Sequence, residues 1–99
     1  MKYSNKSIAL GLELKTKNYL KKVLEFYKEP SEIDMRAMCF QDCADMYRVA
    51  KHIYKDDIKG AVDHIHGMDT AAREVVWEYL DQLSGVNFYE TYVMTNEIS

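Results

Sequence analysis

Apolar residues recur with a helical period along most of the chain, and the longest such run lies in its middle, from Ser31 to about Tyr54. At about 100° per residue, Met35, Cys39, Phe40, Cys43, Met46, Tyr47, Ala50, Ile53 and Tyr54 share one broad face. Asp34, Gln41, Asp42, Asp45, Arg48 and His52 occupy the other. Arg36 intrudes on the apolar side near the start, where its long stem carries the charge out to water. Pro30 stops any helix arriving from upstream, and Ser31 with Asp34 resembles a capping box with Asp in place of the usual Glu. The rest of the chain is expected to pack on this helix.

The segment before it reads two ways. Ser7 to Lys15 alternates with period two, so that Ile8, Leu10, Leu12 and Leu14 point together if the chain is extended. On a helix, Ile8 and Leu12 instead join Tyr19, Val23, Phe26 and Tyr27, and Leu10 and Leu14 fall off the stripe. A leucine-rich stretch without Val or Thr favours the helix, which the pattern extends from about Ser7 to Tyr27. Further on, Ile58, Ala61, Val62 and Ile65 mark a short third helix, capped by Asp56 or Asp57 and stopped by a left-handed Gly67. Asp69 then caps a fourth, with the stripe Ala72, Val75, Val76, Tyr79, Leu80 and Leu83, closed by Gly85.

After Gly85 the character changes. Val86 to Thr95 is β-branched and aromatic and alternates as a strand would. An isolated strand is marginal in water, so this tail needs a partner: residues 7–15, the tail of a second copy, or another protein. The expected fold is mainly α, a compact four-helix domain over residues 1–99 with a short β-prone C-terminal segment.

Composition narrows the class more than the function. With 99 residues, 47% hydrophobic and 29% charged, the chain has the make-up of one globular domain with a real core. No apolar run is long enough for a signal peptide or a membrane span, which points to the cytoplasm. Cys39 and Cys43, four apart on one helix face, are placed to be reduced, buried filling, because a bridge between them would close almost no loop. Residues 1–28 carry seven Lys against Glu13 and Glu25, a balance of +5. Residues 29–99 carry six basic against fourteen acidic groups, a balance of −8, and the two sum to the net −3.

The chemistry-bearing residues form no reactive set. Cys39, Cys43, His52, His64 and His66 match no common zinc spacing, and His64 and His66 lie about 200° apart on a helix. A nucleophilic thiol needs an exposed, electropositive setting, whereas both cysteines sit mid-helix among Phe40, Met46 and Tyr47. No phosphate loop, nucleophile elbow or metalloprotease motif is present. The expectation is a protein without enzymatic activity, metal or cofactor.

Two binding classes remain. Trp77 lies off its helix stripe, and Phe88, Tyr89 and Tyr92 follow closely, a set of large rings of the kind that anchors protein interfaces. These four residues are the expected contact surface for another protein, unless the tail folds back and covers Trp77. The expected function is a non-catalytic protein-binding module, a regulatory or inhibitory accessory protein of the phage or mobile-element type. The alternative is association with nucleic acid through Lys17, Lys21 and Lys28 of the first helix. Three Arg, a pI near 5.5 and acidic later elements weigh against it. Surplus apolar surface also leaves room for a homodimer.

Overall fold

A serine begins the first helix. The Ser4 hydroxyl accepts the Ser7 N–H at 3.1 Å, satisfying one of the backbone donors that a helix start leaves without a partner. The computed structural model describes residues 4–94, and the elements among them are helical: α1 (Asn5–Phe26), α2 (Ile33–Tyr54), α3 (Ile58–His66) and α4 (Thr70–Ser84). A 3-10 turn at Pro30–Glu32 precedes α2, and a π-helical turn at Tyr89–Met94 follows α4. No described helix is long and apolar enough to cross a membrane.

The period-two alternation of residues 7–15 is coincidental. Ile8, Ala9 and Leu12 are buried while Leu10 and Leu14 are exposed, the division a helix makes of this stretch. Extended pairing with the tail is therefore absent. Helix α1 turns back at Tyr27, whose N–H reaches the Val23 carbonyl at 2.9 Å. The cap expected at Ser31 and Asp34 lies earlier, where the Glu29 N–H donates to Glu32 Oε1 at 3.3 Å.

Helix α2 then runs antiparallel along α1 in the most extensive helix–helix contact of the chain. Late α1 meets early α2 where the Tyr19 hydroxyl approaches Cys39 Sγ at 3.9 Å. Early α1 meets late α2 where the Lys6 ammonium lies 5.6 Å from the Tyr54 ring centre. Cys43, Met46, Val49, Ala50 and Ile53 are buried, whereas Met35, Phe40, Tyr47 and Tyr54, expected on the same buried face, are exposed. The core thus takes only the middle of the apolar arc of α2, and it includes Val49, which the expected stripe omitted.

Helices α3 and α4 cover one side of this pair. Asp57 is the residue that caps α3, its Oδ1 accepting the Gly60 N–H at 2.9 Å. Gly67 ends α3 in a right-handed conformation, φ −85°, so the expected left-handed cap is not used there. Gly85 does adopt φ +73° after α4, a conformation that suits glycine. Helix α4 comes close to α1 at Gly11, where an added Cβ would collide with the end of the Leu83 side chain. The molecule is elongated, 50 × 24 × 20 Å.

The strand expected at the C-terminus is not there. The Phe88 N–H donates to Asp81 Oδ1 at 2.8 Å and the Glu90 N–H to Asn87 Oδ1 at 2.9 Å. Side chains therefore take up backbone donors that a strand would have offered to a ladder. The reversal drives Phe88 into the core, where it is 0% exposed; Thr95 lies outside the described residues. Full burial of such a side chain is worth roughly 1.5–3 kcal/mol. Phe88→Ala should therefore destabilise the domain by about 3–5 kcal/mol in urea unfolding, and Tyr89→Ala, at an exposed position, by less than about 1 kcal/mol.

Candidate partner-binding face

The residues expected to bind a partner are largely turned inward by the tail. Trp77 is half-buried, its ring 6.3 Å from Phe88 and edge-on to Tyr89 at 5.5 Å. Phe88 stacks on Tyr92 at 4.7 Å. Phe88 has no surface to offer and Tyr92 is half-buried, so of the four only Tyr89 is exposed. The tail has folded over Trp77, and these rings pack on the α4 side of the core.

An apolar groove stays open elsewhere, on the side of the α1–α2 pair away from α3 and α4. Leu20, Leu24, Phe40, Cys43, Ala44 and Tyr47 line a shallow groove of about 300 Å³ between the two helices. Leu24 is 48% exposed, Phe40 40% and Tyr47 37%, high values for rings and leucines that share a seam. Ile33, Phe40, Tyr47 and Tyr54 repeat every seven residues, two helical turns or about 10 Å apart. All four are exposed. The sequence carried a signal for this face: the apolar arc of α2 is wider than one neighbouring helix can cover.

Charged residues border the groove. On a helical projection, Lys6, Lys17 and Lys21 of α1 and Arg36, Arg48 and Lys51 of α2 lie on or beside the open face, with Glu13 the single acid in that sector. Lys28 lies beyond the end of α1, off the helical stripe to which it was assigned with Lys17 and Lys21. Among the described residues, the close contacts between basic and acidic side chains join His52 to Asp57 and His64 to Asp45, and are ion pairs only when the imidazole is protonated. Lys17, Lys21, Arg48 and Lys51 thus have no intramolecular carboxylate partner among them. Compared with protein-family models, with curated proteins and with solved structures, the chain gives no significant match. Geometry alone carries the functional reading.

Cys43, His52 and His64 are engaged in packing or hydrogen bonds, whereas Cys39 is half-buried and His66 is exposed. Cys43 is buried, and burial together with the nearby Asp42 carboxylate pushes its thiol up to about 11. Cys39 lines an open groove with Tyr19, Val23 and Phe26, and no imidazole lies there. Burial also pushes the Tyr19 hydroxyl well above its ordinary value. His64 Nε2 meets Asp45 Oδ1 at 3.1 Å, tying α3 to α2, and His52 Nδ1 meets Asp57 Oδ2 at 3.0 Å. Among the described residues, no set of three or more His, Cys, Asp or Glu side chains is placed to hold a metal ion.

Two outcomes follow. Cys43 should resist thiol reagents in the native protein at mildly alkaline pH and react only on unfolding, as followed by mass spectrometry. The Asp57 carboxyl is held below its ordinary value, first by the Gly60 N–H and then by His52. A depressed folded value stabilises the fold above the ordinary carboxylate range, and that contribution is lost as pH falls through the depressed value. Asp57→Ala should therefore lower the unfolding midpoint at neutral pH, and the gap from wild type should narrow in acid.

Proposed function

We propose that this chain is a non-catalytic protein-binding module that works through the open α1–α2 face rather than through the C-terminal rings. The observation that carries this reading is the apolar groove of Leu20, Leu24, Phe40, Ala44 and Tyr47, left uncovered between α1 and α2. Contiguous apolar surface of this kind, rimmed by polar groups, marks interaction sites. Aromatic side chains at its centre supply rigid contact area at low entropic cost. A regulatory or inhibitory accessory role, of the type small phage and mobile-element proteins play, is the class to which this reading belongs; that is an analogy of type. Free thiols at Cys39 and Cys43 accord with a cytoplasmic setting.

Association with nucleic acid is the second reading. The specific observation in its favour is that Lys17 and Lys21 share their face with Arg48 and Lys51 of the neighbouring helix. Phosphate binding needs such a cluster. The apolar floor between these cations counts against it, because phosphates gain nothing from Leu20, Leu24 and Ala44.

Affinity capture with purified variants separates the two. Phe40→Glu with Tyr47→Glu, at positions 40% and 37% exposed, should leave the helical circular dichroism intact at a cost of about 1 kcal/mol each. It should also abolish capture of a protein that wild type and Tyr89→Ala both retain. Capture lost on Tyr89→Ala instead would return the site to the tail. A salt-sensitive gel shift abolished by Lys17→Glu with Lys21→Glu, with capture unchanged in the double glutamate variant, would establish the second reading.

A further inference from the structure

The open face also specifies what kind of protein it fits. Resting on the reading above, we infer that its partner is an acidic amphipathic helix, which lies along the α1–α2 groove and presents carboxylates to the bordering cations.

Three features of the face lead to this partner. The first is spacing. Phe40, Tyr47 and Tyr54 recur at seven-residue intervals along about 21 Å of α2, with Leu20 and Leu24 across the groove from the first two. A seam with that repeat accepts knobs from a third helix at the same interval. Strand addition needs a sheet edge, and the described residues contain no strand.

The second is charge. On the helical projection Lys17 and Lys21 of α1 and Arg48 and Lys51 of α2 lie beside the groove, with Glu13 the single acid in that sector, and none of the four cations has an ion pair among the described residues. Flanking Asp and Glu on an incoming helix would meet these groups, steer its approach and fix its register.

The third concerns a second copy of the chain. An isologous dimer through this face would set cation against cation from both helices, because a two-fold axis brings the same patch to itself. A head-to-tail contact could use the acidic side of α3, where Asp56, Asp57 and Asp63 border a surface depression. Such a contact would build rings or open chains rather than a two-fold dimer.

The test is a selection, against the full chain, from a displayed library of helical peptides with random faces and flanks. The most enriched peptide is then synthesised and titrated by fluorescence anisotropy. Enriched peptides should carry large apolar residues at heptad spacing with a surplus of Asp and Glu beside them. Binding should be lost with Phe40→Glu plus Tyr47→Glu. It should weaken about tenfold with Lys17→Glu plus Lys21→Glu, weaken in raised salt, and return for that charge-reversed variant when the flanking acids of the peptide are changed to Lys.

Enriched peptides without an acidic surplus that still require Phe40 and Tyr47 would overturn this inference and leave the binding-face reading standing. Peptides that bind the Phe40→Glu, Tyr47→Glu protein as well as wild type would overturn both. The inference also fails if no peptide is enriched, or if a DNA duplex or vesicles of anionic phospholipid displace the peptide at lower concentration than the peptide itself binds. Concentration-dependent self-assembly in sedimentation that buries Tyr47 would overturn it in favour of a second copy.

Discussion

Everything in this structure depends on the antiparallel contact between α1 and α2. Two helices of 22 residues each provide the scaffold on which α3 and α4 are laid. Ile8, Ala9 and Leu12 from one helix meet Met46, Val49, Ala50 and Ile53 from the other in a single core, closed from the far side by Ile65, Val76, Leu80 and Phe88. Each of those side chains loses its contact with water only when both long helices are in register. Shorter helices such as α3 depend on that tertiary packing, since nine residues are too few for a stable isolated helix.

The same pairing explains why apolar surface is left over. A helix has one buried stripe when it lies on the surface and more when several neighbours surround it. Helix α2 has apolar residues for several neighbours but only α1 and α3 as extensive ones. Helix α4 is engaged on α1, by the close approach at Gly11 and by the Lys15 ammonium with Gln82 and the Tyr79 ring. The side of the pair bearing Phe40 and Tyr47 faces none of these. Leaving such rings in water forgoes the stabilisation their burial would give, which the proposed partner helix would recover.

Much of the helical architecture was legible in the sequence because helix periodicity is a local signal. The bounds of α2, the buried stripe of α3 and the stop at Gly85 follow from residues read within one or two turns, whereas the left-handed conformation expected at Gly67 is found at Gly85 instead. Residues 7–15 were ambiguous because Leu10 and Leu14 are apolar without being buried, and periodicity cannot distinguish an exposed leucine from a core one. The tail misled for a different reason. Its β-branched and aromatic composition is a real strand preference, but Asp81 and Asn87 capture its backbone, and the space beside Trp77 accepts Phe88. Those are tertiary facts that no local pattern contains. The candidate face was half legible: its residues were all visible as apolar, yet only the arrangement of α3 and α4 determines which apolar side of α2 stays open.

Solvent exposure of that face can be read directly, without knowing any partner. With side-chain resonances assigned, a soluble gadolinium chelate broadens groups in proportion to their accessibility. The aromatic signals of Phe40 and Tyr47 and the methyls of Leu24 should broaden strongly and together, at dilute protein concentration, while Leu12, Ile53 and Phe88 remain sharp. Protection of Phe40 and Tyr47 equal to that of Phe88 would contradict the account, because the α1–α2 pair would then have no open apolar side to offer.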